Sequence, residues 1–403
     1  MASRNLSGFS TVNPFPPPDA SNPEVKLVIM NTVNRLLDNI GLPIRVLGCQ
    51  VKTDGNNTII LFATVSTNPL QYPVPPQLPC ILRLSKERSS SPDYEDVTVK
   101  DIVAFHHVAR ETSDLIPRVY AYDATDDNCL GSPYIIQEWV QGEDMRVFYR
   151  GLDERNDTLH IRVRYAREIA NFIHHRETQM SQYQSYGYFE TDEKMALKSA
   201  APFTITDHIS HSVRPWTIGP SMDYGSKISN FVIELLASKV NEVREQEHEA
   251  SYQTLVSIAH KLVDWDRTGT LVQQAEPAIL WHPDFWPRNI MMSSDQSDAK
   301  LTGVIDWDGV IVLPRVMTRR PPDFLWNRGN LSLHESKSIQ LSFDKSIEQL
   351  LPGYGIDAYH PMSQLTRALG MYALKGVDWM FWSELRIDEV EPLWLELVDT
   401  TVM

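Results

Sequence analysis

Apolar residues first fall into helical spacing between residues 22 and 41, where Asn22 can cap a helix with Pro23 at its first position and Gly41 as its stop. Apolar and β-branched residues then dominate Ile44 to Val51 and Thr58 to Val65, on either side of the turn-forming run Asp54-Gly55-Asn56-Asn57, so a hairpin is expected. The prolines from Pro69 to Pro79 predict an irregular loop. A strand from Cys80 to Leu84 follows, and its alternation sets Ile81 and Arg83 on one face. The stripe Val99, Ile102, Val103, Phe105, Val108 and Ala109 predicts a helix to about Arg110, with Thr98 as cap and Asp101 at the capping-box position. Two more strands are expected at Ile116 to Ala121 and Tyr134 to Val140, and Gln141-Gly142-Glu143 reads as the turn that closes this part of the chain.

Beyond that turn the pattern changes to three- and four-residue spacing, predicting helices near Thr158 to Glu177, Lys227 to Val243, Glu249 to Asp264 and Ser363 to Trp382. Trp281 to Asn289, rich in Pro and Trp, reads as a loop, and Leu301 to Ile305 as a short buried strand. The expected class is α+β: a flexible arm over residues 1–21, a sheet unit over 22–140 and a mainly helical unit over 141–403.

Composition narrows the function classes. A 403-residue chain with 42% hydrophobic residues can bury a real core, which excludes a disordered or fibrous protein. The net charge of −15 comes without a Lys/Arg-rich run, so nucleic acid is not an expected partner. That acidity serves solubility before it serves attraction of a cationic substrate. Cys49, Cys80 and Cys129 show no CxxC spacing, so neither a zinc site nor a disulfide framework is suggested and a reducing compartment fits. The polar, Pro-rich start lacks a secretory pattern and no apolar run reaches membrane-spanning length, so a cytoplasmic protein without a membrane partner is expected.

The chemistry is concentrated in two segments. Residues 281–290 have the form H-x-D-x-x-x-x-N, with His282, Asp284 and Asn289 at the fixed places, and Ile305-Asp306-Trp307-Asp308 follows about fifteen residues later. Phosphoryl transfer needs such a set: one carboxylate to accept the attacking hydroxyl's proton, and an amide oxygen with a second carboxylate to hold the magnesium that bridges the nucleotide phosphates. Asp284 suits the first role, Asn289 and Asp306 the second. The chain carries its own control, because Asp264-Trp265-Asp266 repeats the D-W-D pattern without a partner motif and reads as a solvated helix end.

The stretches LWHPDFWPRNIMM and LTGVIDWDG resemble the aminoglycoside phosphotransferase and choline kinase-like family of small-molecule kinases, particularly its fungal members, over roughly residues 45–330. The resemblance implies a protein-kinase-like fold with a small antiparallel-sheet lobe and a larger helical lobe. It implies ATP or GTP as phosphoryl donor, Mg2+ and a small-molecule acceptor, with a catalytic loop at 281–292 and a metal-binding segment at 301–309. His282 would support the loop. Trp286 stands where protein kinases have a lysine, which argues against a protein substrate. Arg83 takes the place of the strand lysine that touches phosphates, and Asp101 that of its paired helix glutamate; both are substitutions, and Asp101 reads equally well as a simple cap. Lys86 replaces Arg83 if the register shifts. Gly55 and Asn57 fall in the loop that would cover the nucleotide, though a bare hairpin turn needs no function. Glu138 to Val140 would be the hinge whose backbone binds adenine.

Other residues read more simply as structure. His106 and His107 are surface or packing residues before they are ligands, Trp379 and Trp382 core before a stacking wall, and the acidic run Glu384, Asp388, Glu389 and Glu391 a solvated face before a cation site. Two other functions compete with the kinase: a nucleotide-binding pseudokinase, marked by the altered Arg83 and Asp101, and a glycosyltransferase using Asp306-Trp307-Asp308, which leaves Asp284 and Asn289 unexplained.

Overall fold

The computed structural model describes residues 23–39, 44–54, 57–66, 78–85, 99–125, 127–153, 158–181, 183, 186–191, 211–215, 232–233, 236, 249–266, 277–293, 300–375 and 385–401. They belong to two compact units, one within Met1–Val140 and Thr191–Ser210, the other within Gln141–Glu190 and His211–Met403. The arm over residues 1–21, loop residues 69–77, Gly55, Asn56, Lys86, Thr98, most of the helix expected near 227–243, Trp379, Trp382 and Glu384 lie outside the described residues.

In the first unit, β1 (Ile44–Asp54), β2 (Asn57–Ser66), β3 (Leu78–Ser85), β4 (Val119–Asp123) and β5 (Tyr134–Glu138) form one antiparallel sheet in the order β1-β2-β3-β5-β4. Asp54 pairs with Asn57, so both strands run further than expected, to the residues that flank the turn: Asn57 is a strand residue, opposite Asp54 and Ser85. The strand expected from Ile116 begins only at Val119, because the Ile116 carbonyl is held by the Arg110 guanidinium at 2.8 Å. Helix α1 (Pro23–Asn39) presents Ile29, Val33, Leu36 and Leu37, at 0–2% exposure, to one face of the sheet, where Cys80, Leu82, Leu84 and Ile136 complete the cluster. Each such side chain contributes on the order of 1.5–3 kcal/mol by leaving water. A bulge between Val46 and Gly48 interrupts β1, and Asn34 of α1 accepts the Val46 N–H there at 2.8 Å.

Helix α2 (Val99–Thr112) covers the opposite face, with Ile102 and Val103 packed on Val119 and Ile135. Strand alternation therefore puts Arg83, the cross-strand partner of Ile135, on the α2 side, as its sequence position requires. His106 on this helix is a packing residue, buried, with Nδ1 2.9 Å from the Pro117 carbonyl.

The second unit is mainly helical. Helix α3 (Met145–Asp153) follows the 140–143 turn and buries Met145, Phe148, Tyr149 and Leu152; α4 is Leu159–Thr178 and α5 Glu249–Asp266, whose last residues include the second D-W-D run. Short strands β6 (Glu143–Asp144), β10 (Ile290–Met292) and β11 (Leu301–Val304) make one sheet, and β7 (Gly187–Thr191), β8 (His211–Pro215), β9 (Ala278–Trp281) and β12 (Ile311–Pro314) another, in the order β8-β7-β12-β9. One-turn α6 (Arg315–Thr318), then α7 (Leu333–Leu350), α8 (Tyr354–Tyr359), α9 (Pro361–Lys375) and α10 (Ile387–Thr401) complete it. A full capping box, Ser332 with Glu335, starts α7. Buried Arg319 ties three elements together by pairing with Glu177 of α4 at 2.7 Å and Asp357 of α8 at 2.9 Å. In α10, Asp388 pairs with Arg386 and both are about two-thirds exposed, so that part of the acidic run is a solvated face.

Candidate active site

Residues 282–289 leave β9 and return into β10 through a compact loop closed by its own backbone: Trp286 N–H donates to the Asp284 carbonyl at 2.8 Å, and Asn289 N–H to the Trp286 carbonyl at 2.9 Å. His282 organises both sides of it. The Asp284 N–H donates to His282 Nδ1 at 3.0 Å, and His282 Nε2 lies 2.9 Å from the Ile305 carbonyl. A carbonyl can only accept, so Nε2 carries the proton, Nδ1 is the acceptor, and the ring is neutral. Burial holds its pKa down to about 4 despite the Ile305 bond and the nearby Asp284. The imidazole packs against Trp307 with centroids 4.4 Å apart. Trp307 is itself fully buried and donates Nε1–H to the Val304 carbonyl at 2.9 Å.

The Asp284 carboxylate is held on both oxygens. Asn289 Nδ2 donates to Oδ2 at 2.6 Å and to the Asp284 carbonyl at 2.9 Å. Arg288 adds a forked contact, Nε to Oδ2 at 3.0 Å and Nη2 to Oδ1 at 2.7 Å. Arg288 is the residue that sequence reasoning passed over, although an arginine four residues after an aspartate is a recognisable pairing. Because the amide nitrogen of Asn289 faces Asp284, its oxygen is the atom able to take a cation.

Asp306 leaves β11 with φ 63°, the only non-glycine residue with a positive φ among the described residues. Aspartate tolerates this left-handed region better than most residues, but the conformation still costs of order 1 kcal/mol or more and clusters at functional positions. The strand expected to run to Ile305 ends at Val304, since Ile305 turns its N–H to the Asn289 carbonyl at 2.9 Å and its carbonyl to His282. Asp306 is exposed, while the next residue, Trp307, anchors the turn. A hard divalent cation such as Mg2+ favours oxygen ligands and needs only one or two from protein when phosphates supply others, so the Asn289 oxygen and the Asp306 carboxylate suit it chemically.

In the first unit, Arg83 is buried in β3 at 8% exposure. Asp101 lies in the first turn of α2, and its side chain is outside the description. Glu138 receives the Arg118 N–H on its carboxylate at 3.1 Å and returns its own N–H to the Arg118 carbonyl at 2.7 Å; Trp139 N–H goes to the Pro79 carbonyl at 3.1 Å. Val140 is the last residue of the unit's first segment.

A sheet unit, a mainly helical unit and an H-x-D-x-x-x-x-N loop bonded to an aspartate-bearing turn define the kinase-like class of phosphotransferases. Residues 80–316, more than half of the chain, match the phosphotransferase enzyme family (APH), and the chain belongs to that family. The match is narrower than the span of roughly 45–330 over which the motifs suggested it. Among solved structures, aminoglycoside phosphotransferase APH(4)-Ia is similar at 15% identity and a TM-score of 0.50, covering 90% of this chain and 98% of its own. A thermostable mutant of that protein in apo form gives 14%, 0.47, 91% and 98% for the same measures. A GDP complex of wild-type aminoglycoside 2'-phosphotransferase-IIIa gives 13%, 0.42, 92% and 97%. At such identities the likeness is one of fold, and it rests on the first of the three. No curated protein sequence matches the chain.

Proposed function

We propose that this chain is a magnesium-dependent kinase that moves the terminal phosphoryl group of ATP or GTP to a hydroxyl of a small molecule. The observation that carries this reading is the bonded set of Asp284, Asn289 and His282, because it orients one carboxylate and one amide oxygen and joins them through Ile305 to Asp306. Asp284 takes the proton of the acceptor hydroxyl as that oxygen bonds to the terminal phosphorus and the bond to the bridging oxygen breaks. The carboxylate's Oδ2 receives both Asn289 and Arg288, so Oδ1, with Arg288 alone, is the better placed acceptor. Mg2+ held by Asn289 and Asp306 would offset the charge on the transferring group. His282 is a positioning residue.

By family resemblance Arg83 contacts phosphates, with Asp101 as its partner, and the backbone around Gly55 and Asn57 covers the nucleotide. Since the Glu138 and Trp139 N–H groups are used inside the sheet unit, the base would bond to Val140. Residues 22–140 thus form the nucleotide unit, and 141–403 carry the catalytic loop and the metal segment. A cytoplasmic location belongs to the same proposal; among the described residues no helix is long and apolar enough to cross a membrane.

Two substitutions test the assignments. Asp284→Asn should keep Mg-nucleotide affinity in calorimetry while turnover falls by about 10²–10⁴-fold; turnover at the wild-type rate removes Asp284 from the chemistry. Asp306→Ala should abolish Mg-dependent nucleotide binding in a folded protein. Wild-type protein that binds nucleotide but turns over with no acceptor favours the pseudokinase.

A further inference from the structure

The forked contact of Arg288 with Asp284 is not needed to build the loop that carries them. Between the two residues the backbone is fixed without either charge: Trp286 is extended, Pro287 opens the single tight turn Pro287–Asn289, and the N–H groups of Asp284, Trp286 and Asn289 all donate to atoms of residues 282–286. The Arg288 side chain is 45% exposed, against 19% for Asp284. An ion pair this open to water contributes little to stability. What sets it apart is its place, on the carboxylate that the proposed chemistry uses.

The bonds decide which part of that carboxylate a hydroxyl can reach. Oδ2 accepts from Asn289 Nδ2 at 2.6 Å, Arg288 Nη2 at 2.6 Å and Arg288 Nε at 3.0 Å, three donors for an oxygen with two lone pairs. Oδ1 accepts from Arg288 Nη2 alone, at 2.7 Å. Because Nη2 bonds to both oxygens it stands between them, so the lone pair that Oδ1 keeps is the one directed away from Oδ2. The terminal torsion of an aspartate is broad, and a carboxylate held at one oxygen retains freedom that one held at both has lost. Asn289 holds only Oδ2. The planar guanidinium, with two donors in a fixed fork, is what ties down the other oxygen as well.

We infer that Arg288 is a positioning residue for the transfer step: it locks the plane of the Asp284 carboxylate and leaves one lone pair of Oδ1 to the acceptor hydroxyl. The inference rests on the phosphotransferase reading. Full-length wild type, Arg288→Ala, Arg288→Lys, Asp284→Asn and the double variant Asp284→Asn/Arg288→Ala are compared in the hydrolysis of radiolabelled Mg-ATP and Mg-GTP, with water standing in for the acceptor, and then with small alcohols. Nucleotide affinity is read by calorimetry and stability by thermal unfolding. Arg288→Ala should lower kcat by about 10–100-fold, the scale on which misplacing a reacting group costs rate, with nucleotide KM and affinity within about twofold of wild type. Its melting temperature should stay within about three degrees of wild type. Arg288→Lys, a single point of attachment, should recover only part of the rate. In the Asp284→Asn background the Arg288→Ala loss should vanish, since a residue that acts through Asp284 has nothing left to position.

A wild-type kcat in Arg288→Ala overturns the inference while the kinase reading stands. Losses that multiply in the double variant, or a raised nucleotide KM at unchanged kcat, also overturn it, because Arg288 then touches the nucleotide or the acceptor itself. A large fall in melting temperature overturns it in favour of a structural role. Wild-type protein that turns over neither nucleotide, with water or with any alcohol offered, removes the phosphotransferase reading and the inference with it.

Discussion

His282 makes a prediction whose size follows from its bonds. In the folded chain its pKa is down at about 4, against 6.5 for an ordinary histidine. The unfolded chain therefore binds a proton between these values that the folded chain refuses, so the stability it contributes is complete above pH 6.5 and is lost as pH falls toward 4. Between pH 7.5 and 4.5 the loss is about 2.6 kcal/mol, taking about 1.36 kcal/mol per pKa unit. Other groups titrate over the same interval, but a double difference cancels them. His282→Gln keeps a donor within reach of the Ile305 carbonyl, removes the titration, and leaves the Asp284 N–H without its acceptor, for which about 1–3 kcal/mol is expected at pH 7.5.

The assay is urea unfolding of wild type and His282→Gln at a series of pH values in metal-free buffer, followed by tryptophan fluorescence. The stability gap should favour wild type at pH 7.5 and shrink by about 2.6 kcal/mol by pH 4.5, leaving the two nearly equal or the variant ahead. A gap that stays constant with pH would refute the neutral, doubly bonded imidazole.

Two further outcomes follow from packing. Gly142 has φ 124°, and a Cβ there would collide with the Met292 carbonyl oxygen and come within 2.9 Å of Thr302 Oγ1, so Gly142→Ala should lose about 2–5 kcal/mol by thermal or urea unfolding, combining strain and overpacking. Arg319→Met removes the forked partner of buried Glu177 and one of the two arginines paired with Asp357, which keeps Arg315, and should cost about 3–5 kcal/mol, the usual penalty for breaking a buried pair; a melting temperature equal to wild type would contradict the network.

Local chemistry made much of this legible in advance. Pro23 marked the start of α1, the alternation of Cys80 to Leu84 put Arg83 on the correct face, and the His282-to-Asn289 spacing located a loop whose members do bond to one another. Features set by distant neighbours were not. Helix α3 was missed because its four buried residues occupy only nine positions, too short a window for a periodicity to stand out. Helix α7 was missed although Ser332 and Glu335 spell a capping box, which is local and could have been read. The Arg319 cluster joins residues 142 positions apart, as between Glu177 and Arg319, and an aromatic array joins Phe172, Phe285 and Phe324; no window along the chain contains either.

The clasp that His282 and Ile305 make between the catalytic loop and the Asp306 turn has an evolutionary consequence. It couples the two carboxylates of the proposed chemistry through hydrogen bonds to main-chain atoms, which side-chain replacement elsewhere does not remove. Sequence change at positions that make none of these bonds therefore leaves the clasp itself in place.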